Sequence, residues 1–319
     1  MALRSEENTV AISKVAVIGA SGRQGLAQIR QLRRQDYQVR GITRRKPVAQ
    51  GPEFEDVQWA PADLDDAASL DEAFAGMDAV FFTPPAFAGS AHRLDQARQV
   101  GEAARRAGLD RVVYNTSVYI PQALGSEPPY DYVLEGILAL EGTGAPVVTF
   151  GPVLFMDNLL ADWSKPALLN GKFRYPHKPG FRASWMSLDD VGAFMIEGLR
   201  RDDLLGERIV LGGPEVLTPE IISATLSGVL GIQITHDPIT PREFGEIMWE
   251  IFKDVAGIDR ESFVSQLDQF YTYSNQGPAE PFNVDMAPVL ERIGVPLTSL
   301  ANWAELQDWT LQDERPPGG

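Results

Sequence analysis

Short apolar runs and amphipathic stretches alternate along residues 14–150 of the chain. The run 14–19 is apolar and ends in glycine, which predicts a buried strand. The stretch 23–34 predicts a helix, because Leu26, Ile29 and Leu32 recur at helical spacing. The same criteria predict strands over 38–43, 57–60, 78–83, 111–116 and 146–150, and helices over 67–74, 94–107 and 132–140. Strands that alternate with helices in this way form a parallel sheet covered on both faces.

The pattern changes after Gly151. Beyond it, the sequence predicts one more strand over 208–211 and helices over 188–199, 219–230, 242–255, 259–270, 286–293 and 300–309. Several of these helices begin with Thr-Pro or with Pro followed by an acid, which is a typical helix start. The C-terminal part is therefore predicted to be mostly helical.

A glycine motif, Gly19-Ala-Ser-Gly22-Arg-Gln-Gly25, joins the first predicted strand to the first predicted helix. Glycine suits the tight turn, the close approach of a pyrophosphate and the packing of helix on strand. The helix N-terminus offers free N–H groups and the positive end of a dipole to phosphates. Because the motif lies inside a series of β-α-β units, it indicates a dinucleotide site. Its candidate cofactor-binding residues are Gly19, Ser21, Gly22, Arg23, Gln24 and Gly25.

These features together predict an α/β fold, a Rossmann-type doubly wound parallel sheet with a smaller, mostly helical C-terminal domain. We expect an NAD(P)-binding Rossmann domain over residues 1–152, to which residues 184–212 return. Residues 153–319 are expected to form a smaller, substrate-binding domain.

Composition narrows the possible functions. The 319 residues include 28 basic and 44 acidic side chains, a net charge of −16 that argues against direct binding to nucleic acid or to anionic membranes. The chain has no cysteine and only three histidines, far apart in sequence, so no metal site is expected. No apolar run is long enough to span a bilayer and the N-terminal segment is polar, so we expect a cytoplasmic protein.

The end of the second predicted strand distinguishes between the two nicotinamide dinucleotides. An NAD site usually places a carboxylate there for the ribose 2′-hydroxyl. This chain has Arg44-Arg45-Lys46 instead, within a segment of fifty residues that carries a net charge of +7. Guanidinium groups match phosphate oxygens, so Arg44 and Arg45 predict that the cofactor is NADP(H), with its 2′-phosphate.

Several segments resemble the NmrA-like branch of the atypical short-chain dehydrogenase/reductases. They are Val17-Ile-Gly-Ala-Ser-Gly22-x-x-Gly25, Val39-Arg-Gly-Ile-Thr-Arg44, Ala62-Asp63-Leu64, Leu70-x-x-Ala73-x-x-Gly76-x-Asp78-Ala-Val80, Phe150-Gly-Pro-x-x-Phe-Met-Asp-Asn158 and Trp185-Met-Ser-Leu-Asp-Asp-Val-Gly192. The resemblance covers about residues 14–215 well and the helical C-terminal part in outline. It implies a substrate cleft between the two domains.

The resemblance also implies roles for individual residues. Asp63 would accept a hydrogen bond from the adenine amino group, with Leu64 packed on the ring. Thr83 and Pro84 would line the adenosine side, and Ser117 would face the nicotinamide. The far side of the nicotinamide would be bordered by Gly151, Pro152 and Phe155, although Phe155 suits an ordinary core position equally well.

A lysine that reductases of this superfamily use is missing. It often stands four residues after a tyrosine on the helix after the fifth strand, where it orients the nicotinamide ribose and lowers the pKa of a neighbouring acid. Here Leu134 follows Tyr130 at that spacing, Gly136 follows Tyr132, and no lysine occurs between Lys46 and Lys165. The candidate catalytic residues are therefore Ser117, Tyr119, Tyr130 and Tyr132.

Two functions remain open. The first is an NADPH-dependent oxidoreductase with altered proton chemistry, acting on a small organic substrate. The second is a non-catalytic NADP(H) sensor that reports redox state to a protein partner. A third, cofactor-independent isomerisation or cyclisation, is disfavoured by the intact glycine motif and the Arg44 cluster. We expect the protein to be a monomer or a homodimer.

Two C-terminal segments bear on the substrate. Residues 171–182 concentrate five cationic or imidazole side chains and are expected either to contact an anionic or carbonyl substrate or to form a solvated hairpin. Residues 243–273 contain seven aromatic side chains, namely Phe244, Trp249, Phe252, Phe263, Phe270, Tyr271 and Tyr273. Most are expected in the core, and some are expected to line a pocket for an aromatic or hydrophobic small molecule.

Overall fold

The structure, a computed structural model, describes residues 12–44, 51–85, 90–254, 257–277 and 280–311. Its strands are β1 Lys14–Ile18, β2 Gln38–Thr43, β3 Gln58–Pro61, β4 Ala79–Phe82, β5 Arg111–Asn115, β6 Val147–Pro152, β7 Leu154–Phe155, β8 Lys172–Phe173, β9 Trp185–Met186, β10 Arg208–Leu211 and β11 Thr235–His236. Its α-helices are α1 Arg23–Arg34, α2 Ala67–Phe74, α3 Ser90–Ala107, α4 Asp131–Glu141, α5 Lys165–Leu169, α6 Leu188–Arg200, α7 Pro219–Leu230, α8 Pro241–Phe252, α9 Arg260–Gln276, α10 Ala287–Ile293 and α11 Leu300–Glu305.

Seven strands form one parallel sheet in the order β10-β6-β5-β4-β1-β2-β3. Helices α1 and α6 pack together over one face, and α2, α3 and α4 cover the other. The strand order reverses between β1 and β4, and in such sheets a crevice opens there at the carboxyl ends of the strands. The predicted Rossmann-type fold with a helical C-terminal region is confirmed.

The two parts of the chain share one apolar core. Strand β10 pairs with β6 at the edge of the sheet, so the chain returns to the sheet after α6. In the other direction, Tyr130 packs edge-on against Phe270 and Phe282, and its hydroxyl hydrogen-bonds to Ser274 at 2.6 Å. The boundary between residues 152 and 153 stays a prediction. Among the described residues, no helix is both long enough and apolar enough to cross a membrane.

The segment 171–182 does not form a hairpin on itself. Strand β8 pairs in parallel with the distant β11, and Lys172 and Arg174 approach Asp237 at 3.4 and 3.6 Å. Between these cations and the end of the segment, Tyr175 and His177 turn inward into an aromatic cluster. The predicted hairpin is therefore wrong, because β8 pairs elsewhere and alternate side chains of this segment belong to the core. The predicted exposure to solvent holds for the four cations of the segment, namely Lys172, Arg174, Lys178 and Arg182.

Candidate dinucleotide and substrate site

The glycine loop between β1 and α1 uses its glycines for different reasons. Gly19 has a φ of +69°, a left-handed conformation that favours glycine. A Cβ on Gly25 would lie 2.3 Å from the Gly19 oxygen, so a side chain there would collide with the backbone. At Gly22 a Cβ would meet that oxygen at 3.4 Å, an ordinary contact. The backbone of the turn therefore requires the first and third glycines. The middle glycine is not required by the backbone, and it leaves this part of the loop without a side chain.

The N-terminus of α1 is suited to an anion. Its N-cap is Gly22, with no side-chain hydrogen bond to the first turn and no acidic residue in that turn. The first N–H groups and the positive dipole end are therefore not neutralised by a side chain of the helix. These features fit the pyrophosphate of a dinucleotide.

The carboxyl end of β2 adjoins the glycine loop. The Ala20 N–H donates to the Ile42 oxygen at 3.1 Å, and the Ser21 and Thr43 hydroxyls lie 3.3 Å apart. Arg44 follows directly and is exposed to solvent. Its position beside the loop is the one predicted for a 2′-phosphate contact. Arg45 lies outside the described residues.

A hydrogen-bonded set joins the loop to the end of β5. The Gln24 amide donates to the Ser117 hydroxyl at 2.7 Å and accepts from the Asn115 side chain at 2.8 Å. Asn115 in turn accepts from the Ser117 N–H at 2.9 Å. Ser117 has a φ of +63°, which is strained for a residue with a side chain and is held here by those bonds. Backbone strain at the end of a central strand is typical of functional positions.

A second set lies one strand away, where the predicted residue Thr83 meets Gln28, which the sequence analysis missed. Gln28 is 1 % exposed, and its amide donates to the Thr83 hydroxyl at 3.0 Å. Its Oε1 has no hydrogen-bond partner among the described residues. Thr83 and Pro84 are partly exposed just after β4. The signal that could have identified Gln28 in the sequence is a polar side chain at a position of α1 that packs on the sheet.

The residues matched to the adenine differ in their surroundings. Asp63 is exposed after β3, and its carboxylate accepts from the Asp65 N–H at 3.1 Å. Leu64 is 8 % exposed and belongs to the core cluster on the α2–α4 face. Asp63 is accessible to a ligand, whereas most of the Leu64 surface is already covered by protein.

The end of β6 is tightly packed. A Cβ on Gly151 would lie 2.5 Å from the Ile120 side chain, so a side chain at this position would require Ile120 to shift. Pro152 and Phe155 are buried as well. Arg23 is exposed, and its guanidinium reaches this region, where it donates to the Asp157 backbone oxygen at 2.9 Å.

Asp157, part of the quoted motif but absent from the predicted site residues, links this region to α6. Its carboxylate accepts from the Leu188 N–H at 2.9 Å, at the first turn of the helix. Burial raises the pKa of this carboxyl group, and the hydrogen bond from Leu188 opposes that rise. Asp157 therefore anchors the turn after β7 to the N-terminus of α6.

The three candidate tyrosines occupy different environments. Tyr130 is fully buried, and burial raises the pKa of its hydroxyl, which is already bonded to Ser274. Tyr119 is half-buried beside the Glu127 carboxylate, and burial followed by that carboxylate raises its pKa. Tyr132 is also half-buried. Tyr119 and Tyr132 are therefore the accessible phenols, while Tyr130 belongs to the core.

One position that matches the missing lysine faces the sheet. Gly136 stands four residues after Tyr132 on α4, and a Cβ there would lie 3.4 Å from the Tyr114 hydroxyl, an ordinary contact. Tyr114 comes from β5, stacks on Phe82 at 5.0 Å, and has a pKa raised by burial. The hydroxyl of a tyrosine from the sheet is thus the neighbour that a side chain at position 136 would meet first. Across the described residues, no group of three or more His, Asp or Glu side chains is placed to hold a metal ion.

Comparison with known proteins supports this assignment of the fold. The NmrA-like family model matches residues 11–292. The NAD(P)H azoreductase of Xenophilus azovorans is 23% identical over 239 residues, which cover 73% of this chain and 80% of the azoreductase.

Two solved structures share the fold at lower identity. The NADPH-dependent quinone oxidoreductase of Escherichia coli, complexed with NADPH, superposes with a TM-score of 0.67 at 22% identity, covering 91% of this chain and 98% of that one. NmrA, a negative transcriptional regulator in complex with NAD, gives a TM-score of 0.70 at 18% identity, covering 95% and 100%. With a family model that spans most of its length and this NAD(P)-binding fold, the chain belongs to the NmrA-like family.

Proposed function

We propose that this protein binds NADP(H) and reduces a small aromatic substrate. The observation that carries the proposal is the bare, uncapped N-terminus of α1 at the point where the strand order reverses, with Arg44 beside it. A relative named as an azoreductase and a neighbour named as a quinone oxidoreductase support substrates with an electron-poor conjugated system.

Within this proposal, each part of the crevice has a task. The N–H groups of α1 bind the pyrophosphate, and Arg44 forms a charge-assisted pair with the 2′-phosphate. When bound, the cofactor supplies a hydride. Ser117 is held against Gln24 and faces the nicotinamide end, with Asp63 at the adenine end. The hydroxyls of Ser117, Tyr119 and Tyr132 are the candidate proton donors, and Tyr119 holds its proton more tightly because burial, and then the facing Glu127 carboxylate, raises its pKa.

A titration of the protein with NADPH and NADH tests cofactor choice. We expect NADPH to bind more tightly, and Arg44→Met to weaken NADPH binding about tenfold, the effect of losing one charge-assisted hydrogen bond of about 1.5 kcal/mol, without weakening NADH binding. Arg34→Met is the matched control, because Arg34 is exposed and pairs with Asp189 at 2.9 Å. Equal affinities for both dinucleotides in the parent protein would contradict the role of Arg44.

Turnover is tested separately by following the absorbance of NADPH with a panel of quinones and azo compounds. Oxidation of NADPH that depends on the substrate supports the reductase. Loss of that oxidation in Tyr132→Phe or Tyr119→Phe, with NADPH binding unchanged, would assign the proton donor.

The alternative function is a redox sensor. The specific observation in its favour is the absence of a lysine beside the accessible phenols, together with the fold shared with the regulator NmrA. Tight NADPH binding without NADPH consumption across the panel would favour the sensor over the reductase.

A further inference from the structure

Arg93 is a half-buried cation for which the described residues provide no ion-pair partner. It lies in the first turn of α3, and its guanidinium carbon lies 5.1 Å from the centroid of the Tyr132 ring. Its Nε atom is buried and has no hydrogen-bond partner among the residues that the structure describes. Two acids close to its helix have other partners, since Asp95 pairs with Arg98 at 2.9 Å and Asp65 lies 3.3 Å from His92.

The position of this cation is the second part of the argument. Helix α3 follows β4 and helix α4 follows β5, so the first turns of both helices lie at the carboxyl edge of the sheet. Arg93 and Tyr132 stand in these first turns. The pair therefore lies at the edge of the sheet that carries Ser117 and Thr83, on the face covered by α2, α3 and α4.

A buried donor without an acceptor costs free energy, and so does a partly desolvated cation without an anion. The chain carries 44 acidic side chains against 28 basic ones, so an unpaired arginine here is not due to a shortage of carboxylates. A ligand that brings its own oxyanion offsets the cost of the unpaired cation, because the guanidinium presents several N–H groups in a planar fork. The phosphates of the dinucleotide already have the α1 N-terminus and Arg44, which leaves the substrate as the source of that oxyanion.

We propose that Arg93 and Tyr132 form the anion-binding end of the substrate site, and that the substrate is an aromatic molecule with a sulfonate or carboxylate group. The guanidinium binds the oxyanion, and the Tyr132 ring, already stacked beneath the cation, contacts the aromatic part. This assignment rests on the proposed function for the position of the cofactor, and it adds the chemical class of the substrate.

The test is an equilibrium titration of the NADP⁺-saturated protein with two dyes, so that no turnover occurs. Methyl orange carries a sulfonate, and its parent 4-dimethylaminoazobenzene is the same molecule without it. We expect Arg93→Met to weaken methyl orange binding at least tenfold, the loss of one charge-assisted contact, while the neutral dye and NADP⁺ bind as before. Arg93→Lys should restore part of the affinity, because it keeps the charge without the planar fork.

Arg98→Met is the matched control, since Arg98 lies on the same helix and pairs with exposed Asp95. Equal affinity of the parent protein for the two dyes, equal losses for both dyes in Arg93→Met, or the same loss in Arg98→Met would overturn the proposal. Weaker NADP⁺ binding in Arg93→Met would also overturn it and would assign Arg93 to the cofactor. If the parent protein binds no NADP⁺, the proposed function fails, and the dye titration of the free protein still tests Arg93.

Discussion

His177 makes the fold sensitive to acid. Its ring is 2 % exposed and stacks on Phe181 with ring centroids 4.1 Å apart, inside the aromatic cluster around Tyr175. Its Nε2 atom has no hydrogen-bond partner within the described part of the chain. Burial, with a smaller contribution from nearby His236, lowers the pKa of His177 from 6.5 to about 3.

The direction of the effect on stability follows from this shift. The folded protein keeps His177 neutral down to about pH 3, whereas the unfolded chain takes up a proton below pH 6.5. Stability from this group is therefore complete above pH 6.5 and decreases as the pH falls towards 3. At pH 4.5 the loss is about 2.7 kcal/mol, which is a large share of the roughly 5–15 kcal/mol that stabilises a typical domain.

Urea unfolding of the parent protein and of His177→Phe at pH 7.5, 6.0 and 4.5 measures this loss. Phenylalanine keeps a ring for Phe181 to stack on and cannot take up a proton. We expect the difference in unfolding free energy between variant and parent to grow by about 2.7 kcal/mol from pH 7.5 to 4.5. His92→Gln, which removes a half-exposed histidine outside the aromatic cluster, is the control measured at the same three pH values. A difference between His177→Phe and the parent that stays constant with pH would refute the reasoning.

Three further predictions concern the glycine loop, the β5 turn and the C-terminal segment. Gly25→Ala should lower the unfolding free energy by about 1–3 kcal/mol in urea, because its methyl group overlaps the backbone, whereas Gly22→Ala should unfold like the parent. Ser117→Gly should be about 1 kcal/mol more stable than Ser117→Ala in the same assay. Both variants lose the hydroxyl, but only glycine is unstrained at a φ of +63°. The reverse order of stability would contradict backbone strain at this position. Asp190→Ala should lower the unfolding free energy by about 1–3 kcal/mol and speed amide exchange at Thr298. The reason is that the Asp190 carboxylate accepts hydrogen bonds from the Thr298 N–H at 2.8 Å and from its hydroxyl at 2.9 Å.

The fold was predictable because its elements carry strong local patterns. Helix α1 has the predicted bounds, since its apolar face is periodic and glycine precedes it. Helix α11 ends at Glu305 instead of residue 309, because Trp309 folds back on Trp303 and donates to the Ala304 oxygen at 2.8 Å. The two-residue strands β7, β8, β9 and β11 were not predicted, because two residues are too few to show a period.

The residues of the candidate site were predictable only where a short motif determines the local backbone conformation. The glycine loop did so, because its first and third glycines meet backbone requirements within the same seven residues. Tyr130 and Tyr132 look alike in sequence, yet one is buried under α9 and the other lies beside Arg93. Gln28 of α1 contacts Thr83 just after β4, and Arg93 of α3 contacts Tyr132 of α4. Because the partners are far apart in the chain, no local sequence pattern indicates these contacts.

The cations of the crevice and the acid sensitivity of the fold have separable effects on activity. The guanidinium of an arginine stays charged throughout the pH range in which proteins fold, and a phosphate keeps one negative charge below its second pKa of about 6, so contacts between the two groups persist in acid. His177, in contrast, lies in the aromatic cluster and acts through unfolding. Loss of ligand binding near pH 4.5 should therefore follow the loss of folded protein. His177→Phe should then extend NADPH binding to lower pH without changing the affinity measured at pH 7.5.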